Sequence, residues 1–264
     1  MEIVFNCPHC NATVEADSEI SGERAECPAC HEIVMVPAPG IEIGMEVGAY
    51  RIEKRLGVGG MGEVFEASQM TMKRRVALKV LSPGVTNDEG LVKRFMHEVQ
   101  MAAKLEHPNV VTAFDAGFAD GYYYLAMSYV EGMDLDERLK QERLCEPEAL
   151  RICRCVGDAL GYAWEHFGML HRDIKPGNIM LDPNGEVKLM DMGIAKTITE
   201  DSNLTMQGAL VGTPYYMSPE QATAKTEVDC RADIYSLGAS LYYMVTGTKP
   251  FDGPNAMAII AKHI

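Results

Sequence analysis

At 264 residues, 47% apolar and 23% charged, the chain is long enough for a sizeable buried core and has the make-up of an ordinary globular protein. A net charge of −14 argues against nucleic acid as the main partner, because phosphate contacts need clustered lysines and arginines. No apolar run reaches the ~18 residues of a membrane helix, and residues 1–5 open no signal peptide, so no membrane segment and a cytoplasmic location are expected.

The charge is uneven: eight of the fourteen net negative charges fall in residues 1–46, where Arg24 is the only Lys or Arg against nine acids. The same stretch carries the one internal repeat, NCPHCN (6–11) and ECPACH (26–31). Its two Cys-x-x-Cys pairs, Cys7/Cys10 and Cys27/Cys30, are separated by 16 residues and suit four thiolates around one tetrahedral Zn2+. Pro8 and Pro28 favour the tight turns that aim two sulfurs at one point. So short a segment has little core, and metal binding would supply its stability. Iron in the same sulfurs is the competing ion, with His9 or His31 as substitute ligands. Residues 1–36 resemble a zinc ribbon, and their acidity favours a structural or protein-contact role. The other cysteines, Cys145, Cys153, Cys155 and Cys230, sit among apolar residues and read as reduced, buried small hydrophobes.

Pro- and Gly-containing residues 37–48 read as a linker. Strand-like text then begins at Tyr50 with YRIEKRL, EVFEAS and RRVALKVL. The first two flank LGVGGMGEV (56–64), whose Gly57, Gly59 and Gly62, with Leu56 just before them, would let backbone N–H groups approach a phosphate chain. It is not a Walker loop, since neither Lys-Ser/Thr nor a helix follows. Lys79 stands inside the apolar strand VALKV and needs a partner there. The next segment, residues 91–105, has helical period, and Glu98 shares a stripe with Leu91, Phe95 and Ala102, which invites a Lys79–Glu98 pair.

Two more strand-like runs, VVTAFDAGF and YYYLAMSYV, precede a helix-rich half from Gly132 onward. Its two long helical patterns end at Gly168 and Gly247. Strands first and helices second predict an α+β architecture. LHRDIKPGNIML (170–181) and LMDMG (189–193) bring Asp173, Lys175, Asn178 and Asp191 into one loop and a hairpin.

With these motifs in order, and with GTPYYMSPE and DIYSLG behind them, residues 47–264 resemble the eukaryotic-type (Hanks-type) Ser/Thr protein kinases, in a form similar to the bacterial members. The resemblance implies a bilobal protein kinase fold, with a β-rich N-lobe over 49–131 and a helical C-lobe from 132 to 264. It implies an enzyme that moves the γ-phosphoryl of Mg-ATP to Ser or Thr hydroxyls of a protein substrate. Lys79, oriented by Glu98, would hold the α- and β-phosphates of ATP, while Asn178 and Asp191 would ligate Mg2+. Asp173 would accept the proton of the attacking hydroxyl, with Lys175 steadying the transferring group. Val64, Ala77 and Met180 would sandwich the adenine, with Met127 as gatekeeper, Ser128 to Val130 as hinge and Asp134 near the ribose. Met192, where the family has phenylalanine, is expected only to pack. Lys175 and Thr213 match the Ser/Thr branch.

Arg172 implies regulation by a phosphorylated residue of the segment 191–220, with Thr205 the expected acceptor among Thr197, Thr199, Ser202 and Thr205. The family continues past the helix in which Ile264 stands and pairs Glu220 with an arginine there, so an incomplete C-lobe with an open apolar face is expected. Two other readings share the motifs: a nucleotide-binding pseudokinase scaffold, and a partner-binding ribbon with an accessory kinase domain.

Overall fold

A computed structural model describes residues 2–17, 20, 23–36, 40–59, 62–81, 89–192, 214–223 and 228–264. The chain divides into two compact units, residues 1–99 with 113–129 and residues 100–112 with 130–264.

In the first unit, strands β1 (Glu2–Asn6) and β2 (Thr13–Asp17) pair antiparallel, as do β3 (Arg24–Glu26) and β4 (Ile33–Met35). Each hairpin carries one Cys-x-x-Cys turn, and Cys7, Val14, Cys27 and Val34 form a small buried cluster. The main sheet has six antiparallel strands: β5 (Glu46–Val47), β6 (Tyr50–Gly59), β7 (Gly62–Gln69), β8 (Arg74–Leu81), β9 (Ala113–Ala119) and β10 (Tyr122–Ser128). Their spatial order is β5-β6-β7-β8-β10-β9. Alternation sends Ile52, Phe65, Ala67, Val76, Leu78, Val80, Tyr124 and Ala126 to one apolar core. Ile41, Met45 and Val47, from the stretch expected to link the domains, pack on that core, and the Ile52 N–H donates to the Met45 carbonyl at 2.8 Å.

Helix α1 (Glu89–Ala102) follows β8. Among its described side chains Val92, Phe95 and Val99 are buried; of the expected stripe, Phe95 is buried, Ala102 is half-buried, and the side chains of Leu91 and Glu98 lie outside the described set.

In the second unit, a short sheet of β11 (Met133–Asp134), β12 (Ile179–Leu181) and β13 (Val187–Leu189) lies among helices. Helix α2 (Leu135–Gln141) starts where the Asp134 carboxylate accepts the Glu137 N–H at 2.8 Å. Helix α3 (Glu146–Phe167) has acids in its first turn and buries Ala149, Ile152, Val156, Ala159, Leu160 and Ala163, spacings of three and four that make one face. That face packs on α5 (Cys230–Thr246), and both helices end at the glycines read from the sequence, Gly168 and Gly247. Between them in the chain lies the one-turn helix α4 (Pro219–Ala222), and α6 (Ala256–His263) follows α5.

The scattered cysteines correct one expectation. Cys145 is exposed at the start of α3, and Cys153, Cys155 and Cys230 are half-buried rather than buried, although all four are free thiols. Among the described residues no helix is long and apolar enough to cross a membrane.

Candidate active site and metal centre

On the six-stranded sheet, register collects the predicted nucleotide-binding residues on one face. Lys79 lies opposite Val64 on β7 and Leu125 on β10, and Ala77 lies opposite Met127. Directly opposed residues share a face, so Val64, Ala77, Lys79 and Met127 stand together, with Phe65 and Leu78 turned to the core behind. Lys79 is only 7% exposed, a depth at which an ammonium requires polar company. The partner expected for it, Glu98, is in α1, and its side chain lies outside the described residues.

The glycines of the β6–β7 hairpin do different jobs. Gly62 has φ +154°, and a Cβ there would fall 1.9 Å from the Val80 carbonyl oxygen, so the sheet itself demands glycine. Among the described residues, a Cβ on Gly57 would meet nothing within 4 Å and one on Gly59 only the Gly62 oxygen at 3.8 Å. The fold asks for no glycine at those two positions, which leaves the bare backbone free for a ligand to approach. Leu56 is exposed beside them, and residues 60–61 lie outside the described set.

In the second unit, the loop after α3 is tied on every side. Lys175 Nζ donates to Asp173 Oδ2 at 2.7 Å. Asn178 Nδ2 donates to that oxygen at 3.1 Å and to the Asp173 carbonyl at 2.7 Å. Using its amine end on Asp173 leaves the oxygen end of the Asn178 amide, the end a cation takes, on the other side of the group. The Met190 N–H donates to the Asn178 carbonyl at 2.9 Å, which fastens the loop to the strand leading into Asp191.

His171 is fully buried and fastens the same two segments again. Its Nδ1 accepts the Asp173 N–H at 3.3 Å, so its Nε2 carries the proton and donates to the Met190 carbonyl at 2.8 Å. Asp233, 3% exposed in the first turn of α5, accepts the N–H groups of His171 and Arg172 at 2.8 and 2.7 Å. A carboxylate so placed is satisfied by two backbone donors and by the positive end of its own helix. Arg172 and Asp191 both have left-handed backbone, φ +65° and +53°, uncommon for residues with side chains and concentrated at functional sites.

Other expected positions sit nearby in sequence or register. Asp134 lies opposite Met180 across β11 and β12, with one carboxylate oxygen already capping α2. Ser128 ends β10, and Val130 opens the second unit's main stretch. Met192 is 4% exposed within the core that also holds Leu189, Ile174 and Ile179. The regulatory candidate Thr205, with Thr197, Thr199, Ser202 and Thr213, lies outside the described residues. His171 and Asp233 were given no role by the sequence beyond their place in a motif, and Gln221, whose amide donates to the Arg172 carbonyl at 2.9 Å, was not singled out. The aspartate of DIYSLG was visible as part of a motif, but nothing local in the sequence says which loop it holds.

The N-terminal sulfurs converge. Sγ atoms of Cys7 and Cys30 are 3.7 Å apart, those of Cys10 and Cys27 3.8 Å, and all four lie within 4.8 Å of one another. Tetrahedral ligands about 2.3 Å from zinc would be about 3.8 Å apart, which the Cys7–Cys30 and Cys10–Cys27 pairs match, so the donor set suits that ion. The turns are equivalent: Asn11 and His31, each following the second cysteine of a pair, have φ of 60° and 62° and donate backwards to the carbonyls of Cys7 and Cys27. N–H groups of Cys30 and then Ala29 hold the Cys27 thiol down to about 6. At Cys30 the Glu32 N–H acts in the same sense but is outweighed by burial and the neighbouring sulfurs, which push that thiol up to about 12. His31 is engaged with Glu26 at 2.6 Å, outside the sulfur quartet.

A buried strand lysine in the β-rich unit, and a clamped His-Arg-Asp loop with a left-handed aspartate after β13 in the helical one, are the features that the protein kinase fold carries. The family profile "Protein kinase domain" matches residues 50–264, and the chain belongs to that family. It is 43% identical over 225 residues to the serine/threonine-protein kinase pkn3 of Myxococcus xanthus, covering 81% of this chain and 41% of that protein. It is 39% identical over 218 residues to the serine/threonine-protein kinase PrkC of Bacillus subtilis, covering 82% of this chain and 33% of that protein. The chain thus spans less than half the length of these relatives. Among solved structures, the Mycobacterium tuberculosis PknI kinase domain superposes with a TM-score of 0.66 at 32% identity, covering 82% of this chain and 81% of that one.

Proposed function

We propose that the chain is a serine/threonine protein kinase that transfers the γ-phosphoryl group of Mg-ATP to protein hydroxyls. The observation that carries this reading is the Asp173 carboxylate held by Lys175 and Asn178 at 2.7 and 3.1 Å, in a loop whose backbone is fixed by Asp233 and His171. Asp173 accepts the proton of the incoming hydroxyl, and Lys175, already beside it, meets the charge on the transferring group. Lys79 holds the α- and β-phosphates, with Glu98 as its orienting partner, and Gly57 and Gly59 give the phosphate chain bare backbone. Val64, Ala77, Met127 and Met180 bound the adenine, Ser128 and Val130 offer hinge backbone, and Asp134 the ribose contact. Asn178 and Asp191 hold the magnesium, which when bound neutralises charge on the phosphates. The protein's share is positioning and electrostatics, because phosphoryl transfer needs little covalent help.

The four cysteines hold zinc as a structural ion, making residues 1–36 a ribbon; 49–131 and 132–264 are the two lobes, and residues 41–47, expected to connect ribbon and lobe, belong with the first lobe's sheet. Phosphorylation of Thr205, met by Arg172, is the activating event, and the location is cytoplasmic. The test is transfer from labelled ATP to a generic protein acceptor: Asp173→Asn is expected to lower it about 10²–10⁴-fold with ATP binding retained. Equal transfer by Asp173→Asn and the parent chain rejects the assignment, and ATP binding without any transfer favours the scaffold reading.

A further inference from the structure

The backbone around the Arg172–Asp173 peptide is held from two sides, at the N–H groups of residues 171 and 172 and at the Arg172 carbonyl. Arg172 adopts φ +65°, a conformation that a long side chain disfavours and that surrounding bonds must impose. From one side Asp233 takes the N–H groups of residues 171 and 172. From the other, Gln221 Nε2 donates to the Arg172 carbonyl at 2.9 Å. That carbonyl belongs to the same peptide plane as the Asp173 N–H, so the Gln221 bond opposes rotation of the plane from which the Asp173 side chain is aimed.

Gln221 has a second occupation. It is the third residue of α4, where its Oε1 accepts the Ser218 N–H at 3.2 Å while Ser218 Oγ accepts the Gln221 N–H at 3.4 Å, a complete capping box. The two partners fix the orientation of the amide, since a carbonyl needs its NH2 end and an N–H needs its oxygen. Glutamate serves a capping box equally well, and its charge suits a helix N-terminus better. Only the Arg172 carbonyl requires a donor at this position. Glutamine therefore answers to the loop rather than to the helix.

We propose that Gln221 is a positioning residue that pins the Arg172–Asp173 peptide and so couples the aim of the Asp173 carboxylate to helix α4. This deepens the kinase assignment and rests on it for its catalytic consequence. Two variants of the full chain separate the roles. Gln221→Glu keeps the oxygen that caps α4 and replaces the donor with a second acceptor facing the carbonyl. Ser218→Ala weakens the cap and keeps the donor.

For Gln221→Glu the expected result is a kcat lower by about 10- to 100-fold, with KM for ATP and the thermal midpoint close to those of the parent. Amide exchange should quicken in the peptide spanning residues 171–173. Ser218→Ala should lower the midpoint and spare kcat. The loss in Gln221→Glu should be uniform across pH, whereas a mere effect of the added charge shifts the acid limb of the profile. Parent-like kcat and exchange in Gln221→Glu, a shifted acid limb alone, or parallel loss of kcat and stability in both variants each overturn the proposal. Should the parent chain transfer no phosphate while exchange at 171–173 still depends on Gln221, the pin stands and the kinase reading falls.

Discussion

Asp191 and Met192 divide the bend after β13 between them: the first takes the left-handed backbone, and the second goes into the core at 4% exposure. A side chain buried among Leu189, Ile174 and Ile179 is judged by volume and shape, which methionine and phenylalanine share well enough. Met192→Phe is therefore expected to change stability by less than about 1.5 kcal/mol, and Met192→Ala to cost about 2–5 kcal/mol, both read by urea unfolding. A second residue-scale expectation concerns pH. His107 accepts the Asn109 N–H on Nδ1 at 3.1 Å and lies against Tyr162; burial lowers its pKa below 6.5, with Asp158 working weakly the other way. The folded chain then binds this proton less readily than the unfolded chain does. Stability is full above pH 6.5 and declines as pH falls through that value. Asn109 bonds the backbone of Val187 and Leu189, so the loosening begins beside the Asp191 bend. Denaturation midpoints above and below pH 6.5 should differ less in His107→Gln than in the parent, and an undiminished difference would exclude His107 as the source.

At the scale of elements, what the sequence reveals depends on how locally an element is encoded. Each ribbon turn is written within six residues, including the position that turns left-handed, so the repeat was readable as two equivalent knuckles. Helix α1 was readable as a helix but less so as a face: Leu91, Val92, Phe95, Val99 and Ala102 offer two overlapping apolar stripes, and Val92 and Val99, outside the expected one, are buried beside Phe95. Cys145 looked apolar by its neighbours, yet it precedes a helix start and stays exposed. Among its described residues the ribbon's apolar cluster is Cys7, Val14, Cys27 and Val34, a core too small to fold without its ion. One zinc per chain is expected by atomic absorption. A strong chelator, mild acid that protonates the thiolates, or Cys27→Ser should each release it and collapse the spectroscopic signals of residues 2–36 while those of the six-stranded sheet persist. Persistence of the ribbon signals in metal-free protein would contradict a structural role for the ion.

Across the whole molecule the candidate site was half legible, and sequence distance marks the division. Asp173, Lys175 and Asn178 stand within six positions, so spacing alone groups them, whereas Asp233 and Gln221 hold the same loop from 61 and 49 positions away and leave no period to read. The same distinction governs how the chain comes apart. Residues 41–47 looked like connection because of their composition, yet Val47 is fully buried, Ile41 and Met45 cover the sheet's core, and Gly44 and Met45 exchange backbone bonds with Ile52. The ribbon has its own cluster, and the apolar core of the sheet begins at Ile41. Removing residues 1–40 is therefore expected to leave the sheet's unfolding midpoint and phosphoryl transfer close to those of the parent. Removing residues 1–48 takes away a buried valine, two partly buried side chains and the β5 edge, at a cost on the order of 3–5 kcal/mol. Urea titrations of the two truncations decide the matter: a midpoint that drops only for the longer deletion places the start of the catalytic portion at residue 41, and equal midpoints would show that Ile41, Met45 and Val47 add nothing to the sheet they cover.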